Sequence, residues 1–122
     1  NYYLREHLNF KTDVTYNVFG PVRPWDNRND NVRDGLRQAM AQNPYLKVLI
    51  QSGYYDGATT YFNAKYTMWQ IDPSGKMKDR FYFKGYRSGH MMYLRSEDLK
   101  KSNDDLRDFI KNSSSKGKAA KY

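Results

Sequence analysis

Hydrophobic and polar residues alternate along this chain with two different periods, and the switches between them mark out its elements. Val32, Leu36, Ala39 and Met40 recur at the spacing of one helix face. Asn29 or Asp30 can cap that helix, and Asn43-Pro44 ends it, since the residue before a proline avoids the α region. Leu46 to Ser52 is nearly continuous in apolar residues, the pattern of a strand covered on both faces in a parallel sheet, and Gly53 closes it. Ala58 to Gln70 returns to helical spacing, with Ala58, Phe62, Lys65 and Trp69 along one side. Asp72-Pro73-Ser74-Gly75 is a turn. Arg80 to Tyr86 sets Phe81 and Phe83 against Tyr82 and Lys84, the period of a strand, with Gly85 marking a bulge or a close backbone approach. A last helix begins near Ser96 or Ser102 and carries Leu99, Leu106, Phe109 and Ile110 as its apolar stripe.

Outside this region the signal is weaker. Tyr3, Leu4 and Leu8 can line a short helix, and Val14, Tyr16 and Val18 alternate like a brief strand. Gly20-Pro21 through Pro24-Trp25-Asp26-Asn27 is loop, anchored by a buried Trp25. From Ser113 onward the chain is polar and Lys-rich, which predicts disorder. The expected organisation is an irregular segment over residues 1–28, an α/β segment over 29–112 and a tail over 113–122. The order helix, strand, helix, strand, helix is a βαβα unit, and its crossover predicts parallel strands flanked by helices. Asp56 lies just past the C-terminal end of the first strand and Gly89-His90 past that of the second, so the carboxyl ends of neighbouring strands carry an Asp and a His. In such sheets that edge is where ligands bind.

Composition narrows what surrounds this unit. The hydrophobic share is 39% and the mean hydropathy −1.01, low for a self-sufficient α/β core, so the sheet is expected to be incomplete. The chain begins with Asn, which predicts a cut, processed or incomplete N-terminus. Neither a signal peptide nor a membrane span is visible, and the absence of Cys excludes disulfides and thiolate metal sites while leaving the compartment open. The net charge is +8, and residues 61–95 carry seven Lys or Arg against Asp72 and Asp79. Lys76, Lys78, Arg80, Lys84 and Arg87 interleave with Phe81, Tyr82, Phe83 and Tyr86, superficially as in a nucleic-acid-binding face. A strand with a solvated end explains them more simply, and no nucleic-acid partner is expected. Asp56 and His90 lack a third clustered ligand for a metal, no Gly-rich phosphate loop is present, and no cofactor is implied. His7 is read as incidental, and Asp104, Asp105 and Asp108 as the solvated face of the last helix.

Three stretches carry a resemblance: Pro44-Tyr45-Leu46-Lys47-Val48-Leu49-Ile50, then Gly53-Tyr54-Tyr55-Asp56-Gly57-Ala58-Thr59-Thr60-Tyr61-Phe62, then Gly89-His90-Met91-Met92-Tyr93-Leu94. In this order they resemble the C-terminal part of bacterial serine carboxypeptidase-like peptidases, which are α/β-hydrolases, over roughly Trp25 to Ile110. The resemblance implies removal of C-terminal residues from a peptide substrate through an acyl-enzyme, with Asp56 as triad acid and His90 as general base. The chain order Ser, Asp, His of such hydrolases places those two residues last. Imidazole titrates near neutrality, and a carboxylate on its second nitrogen fixes the tautomer and stabilises the imidazolium. Tyr54, Tyr55, Met91 and Met92 are the candidate substrate-pocket residues.

The sequence departs from that family at several points. No Gly-x-Ser-x-Gly-like elbow is present, Ser52 ends the Asp-bearing strand, and Ser88 is too close to His90 in sequence to be its expected partner. Gly57 and Thr60 stand where Leu and Pro are expected. The chain is therefore expected to be the C-terminal catalytic segment of a larger hydrolase. By itself it would be inactive, and it would associate with the rest of the parent or with itself. The alternatives are a non-catalytic basic and aromatic binding module, or a segment of an esterase or acyltransferase built on the same fold.

Overall fold

The computed structural model describes residues 2–15, 26, 28 and 31–114. Contacts divide the chain into two units, Asn1–Asp30 and Asn31–Tyr122. In the first, Tyr3–His7 forms a short π-helical turn whose Tyr3 and His7 rings stack at 5.2 Å. Tyr3, Leu4 and Leu8, expected to line a helix face, are all exposed. Val14 lies outside any strand, while Tyr16, Val18 and Trp25 fall outside the described residues.

The second unit runs α1 (Arg33–Gln42), β1 (Val48–Gly53), α2 (Tyr61–Ile71), β2 (Phe81–Tyr86) and α3 (Ser96–Ser114), with short 3₁₀ turns at Lys78–Arg80 and Met92–Leu94. β1 and β2 form a two-stranded parallel sheet in the register Val48↔Phe81 to Gly53↔Tyr86. The protein is thus mixed α/β, with helices on both faces of a parallel pair. Strand residues alternate between those faces. Phe83 lies on the α2 side, where Lys65 Nζ sits 5.6 Å from its ring. Tyr82, Lys84 and Tyr86 face α3, and Tyr82 meets Phe109 edge to face at 5.4 Å.

α1 begins at Arg33, after the proposed caps at 29 and 30, which lie outside the described residues; the Asn31 carboxamide oxygen accepts the Arg33 N–H at 3.0 Å. Its C-terminus is finished by a residue distant in sequence. Arg80, 4% exposed, donates through Nη1 to the carbonyls of Met40 at 2.9 Å and Asn43 at 3.0 Å. A cation there satisfies carbonyls that the helix leaves without partners. Lys84 is likewise engaged, with Asp105 at 2.9 Å, so these two basic residues do not form a free cationic face. Asp105 correspondingly leaves the solvated face expected of α3, whereas Asp104 pairs with Lys100 and Arg107 at the surface.

The apolar stripes are less covered than their spacing predicts. Met40, Ile71 and Tyr86 are the buried apolar side chains among the described residues. Val32, Phe62, Trp69, Leu99, Leu106 and Ile110 are exposed, and the β1 side chains before Gly53 are half-buried rather than covered on both faces. The physical reason is geometric: two strands and three helices give each element too few neighbours to close over it. Gly85 makes a close approach rather than a bulge, since the ladder passes through Ser52↔Gly85 unbroken and any side chain at 85 would strike the Tyr54 ring. Ser113 and Ser114, expected in the tail, complete the last turn of α3.

α3 is joined to the sheet by polar groups. Gln51 Nε2 donates to the Tyr86 hydroxyl at 2.8 Å and to the Ser102 carbonyl at 3.0 Å, and the Tyr86 hydroxyl donates to Asp105 Oδ2 at 3.0 Å. Burial, aided by the charges of Asp105 and Asp98, pushes the Tyr86 phenol up to about 12. In the unfolded chain it ionises near 10. Its contribution to stability is therefore complete below about pH 10 and is lost as pH rises towards 12, because the unfolded state releases the proton first. Tyr86→Phe is expected to cost about 1–2 kcal/mol at neutral pH. Its melting temperature should fall less steeply than that of the wild type between pH 10 and 12; parallel slopes in thermal melts would contradict this.

Candidate active site

The loops leaving β1 and β2 are bound to one another before any functional side chain is considered. The Tyr54 N–H donates to the Tyr86 carbonyl at 2.9 Å, and the Tyr55 N–H to the Ser88 carbonyl at 3.0 Å. Gly53 lies against the carbonyls of Ser88 and Gly89 so closely that a methyl group would collide with both. Glycine is required there by the approach of two backbones. The result holds residues 54–56 beside residues 88–90.

Asp56 follows as the end of a turn that leads into α2. Its Oδ1 accepts the backbone N–H groups of Ala58 and Thr59, each at 2.9 Å, the local bonding that Asp provides at turns and helix starts. Its Oδ2 accepts the Thr59 hydroxyl at 2.6 Å and faces His90 Nδ1 at 2.9 Å. The carboxylate thus serves as a local cap and as the partner of a residue from the other strand. The Asp56 side chain is 7% exposed and the His90 side chain 66%. Hydrogen bonds from the Thr59 hydroxyl above all, then from its amide, from His90 and from the Ala58 amide, hold the Asp56 carboxyl well below the usual carboxylate range, against the effect of burial. It is an anion throughout the neutral range and acts on the imidazole as an acceptor.

The other expected positions divide. Met91 lines a wide, open depression of about 460 Å³ together with Ser88, Gly89, His90, Leu94 and Arg95. Met92 stands in the following 3₁₀ turn, outside the lining. Tyr54 packs on Gly85 and meets Tyr61 edge to face at 5.1 Å, while Tyr55 is exposed; neither lines the depression. Ser88 is buried with its hydroxyl unpartnered, and no hydrogen bond joins Ser52 or Ser88 to His90. The residue that sequence reasoning left without a role is Thr59. The Asp-x-x-Thr spacing was the available signal, since a hydroxyl three residues on reaches back to such a carboxylate.

Among the described residues no group of three or more His, Cys, Asp or Glu could hold a metal, and no helix is long and apolar enough to cross a membrane. What this chain supplies is a carboxylate–imidazole pair beside an open, partly apolar depression.

Asp56 has its acidity raised by folding, so the stability it contributes is present above the ordinary carboxylate range, near pH 4, and is lost as the pH falls below it. The wild type should lose melting temperature between about pH 4 and pH 2 more steeply than Asp56→Asn. Equal acid limbs in the two profiles would remove the carboxylate from this balance. Comparison of the chain with models of known families, with curated proteins and with solved structures found no match.

Proposed function

We propose that this chain supplies the acid and the base of a Ser-His-Asp triad in a serine carboxypeptidase-like enzyme of the α/β-hydrolase class. The observation that supports it is the 2.9 Å hydrogen bond between Asp56 Oδ2 and His90 Nδ1 just beyond the carboxyl ends of two adjacent parallel strands. In this reading His90 Nε2 takes the proton of a serine hydroxyl as its oxygen attacks the scissile carbonyl. The imidazolium then gives that proton to the departing amine. Asp56 stays ionised, holds Nδ1–H and stabilises the imidazolium. The low acid range of its carboxyl agrees with a group that accepts a hydrogen bond without taking the proton.

The substrate would be a peptide losing its C-terminal residue, lodged over the depression that Met91 and Leu94 line. The nucleophile and the oxyanion donors would come from polypeptide outside these residues, since neither nearby serine bonds to His90. β1 and β2 each leave one edge unpaired among the described residues, and bare edges recruit further strands. The rest of a hydrolase sheet would pair there, or a second copy of this chain in its absence.

In the enzyme that contains this chain and its serine, His90→Ala should lower turnover of a blocked dipeptide by about a thousandfold or more, as loss of a triad member does. Turnover within tenfold of the wild type would exclude His90 from the mechanism. The isolated chain should be inactive and should self-associate. A sharp monomer peak in light scattering would count against the pairing of its edges. Peptide turnover abolished by Ser52→Ala or Ser88→Ala would overturn the external nucleophile.

A further inference from the structure

His90 follows a strand end and a glycine, and two thirds of its side chain is open to solvent. Packing alone does not set the angle of its ring. What touches it is a pair of oxygens: Asp56 Oδ2 at 2.9 Å and Thr59 Oγ1 at 3.2 Å, both at Nδ1.

Hydrogen-bond accounting then fixes the protons. A threonine hydroxyl has one proton and two lone pairs. Thr59 directs its proton to Asp56 Oδ2, at 2.6 Å, because an ionised carboxylate is the stronger acceptor. The hydroxyl oxygen then faces Nδ1 with a lone pair. An Nδ1–H shared between the two oxygens is satisfied as a three-centre bond. The opposite tautomer would set a bare Nδ1 lone pair against two oxygen acceptors. Thr59 also grips the other carboxylate oxygen, because its amide donates to Oδ1 at 2.9 Å. One residue thus holds both oxygens, and the otherwise loose terminal torsion of an aspartate is locked.

We propose that Thr59 is a positioning residue that clamps the Asp56 carboxylate and thereby selects the Nδ1–H tautomer of His90, leaving the Nε2 lone pair free and facing outward as a base. The catalytic consequence rests on the hydrolase reading above; the clamp itself does not. The clamp is local to Asp56 and Thr59, so it is built into the turn that leads to α2 rather than supplied by β2. Its recipient, the imidazole, has no other polar partner among the described residues.

The test uses the ¹⁵N-labelled chain itself, with long-range proton–nitrogen spectra of His90 at about pH 8.5, about two pH units above the ordinary imidazole value. Thr59→Val keeps the amide and the branched shape but removes the hydroxyl, and Thr59→Ser restores it. The wild type and Thr59→Ser should hold His90 in the Nδ1–H form. Thr59→Val should move a measurable share to the Nε2–H form and shift the carbon-13 titration of the Asp56 carboxyl towards the ordinary carboxylate range. A valine variant with a dispersed amide spectrum, an unchanged tautomer and an unchanged carboxyl titration would overturn the clamp. Should the valine variant fail to fold, the wild type alone decides: a dominant Nε2–H form in the folded chain overturns the proposal. In the complete enzyme, Thr59→Val should lower kcat by about tenfold at constant KM, the size of effect that partners behind a functional group have elsewhere, and Thr59→Ser should recover it. A tautomer shift with undiminished kcat would support the clamp while removing its catalytic consequence.

Discussion

The parallel ladder between β1 and β2 is the constraint from which the rest of the structure follows. Its register pairs Gly53 with Tyr86, and the pairing continues past the strands through the amides of Tyr54 and Tyr55. Two loops that are distant in sequence are thereby held side by side, and the Asp and the His emerge at the same level. Because side chains alternate, a one-residue slip of β2 would turn Lys84 and Tyr86 away from α3 and Phe83 away from α2. It would also bring a side chain into the place that only Gly53 can occupy.

The two faces of this ladder are attached to their helices by different chemistry. On the α2 side, Met40 and Ile71 supply what deep apolar burial there is, and Arg80 ties the end of α1 to the start of β2. On the α3 side the joint is polar and directional, running Gln51–Tyr86–Asp105–Lys84. Apolar burial rewards any close contact, whereas a hydrogen-bond network rewards one arrangement. Few apolar side chains are fully buried among the described residues, so the seating of α3 draws on the second kind of contact beside the packing of Tyr82 on Phe109. Phe62, Tyr66 and Trp69 meanwhile remain exposed along α2. Their exposure follows from a sheet with too few layers to cover both sides of its helices.

Much of this was legible in the chain. The two strands, their parallel sense and the three helices could be read from periodicity and from Gly53, Pro44 and the Asp72 turn, because each element carries local signals that agree with its tertiary role. The placement of Asp56 and His90 followed from the strand ends. What was not legible depended on distance. Val32, Phe62, Trp69 and Leu99 have the spacing of buried faces, but spacing shows only that one side of a helix is apolar, not that anything covers it. Arg80 and Asp105 read as solvated charges until tertiary structure brought Met40 and Lys84 to them. Tyr54 and Tyr55 follow Gly53 directly, yet the close crossing of the two loops turns one onto Gly85 and leaves the other outside the depression. Thr59 was readable in principle, since its partner is local, but a hydroxyl near an aspartate serves as a turn bond so often that its second neighbour could be found only in three dimensions.

The Asp–His pair joins contacts of two very different ranges. The bonds from Ala58 and Thr59 to Asp56 span two or three residues, whereas the bond to His90 spans 34. Local bonds close at little entropic cost, and distant ones must await the loop between them. The cradle of the carboxylate therefore needs no long-range contact to close. The histidine arrives only after α2 has carried the chain back and β2 has docked. The pair is thus a record of sheet assembly: a chain that collapses without pairing its strands would still hold its aspartate, and would hold it empty.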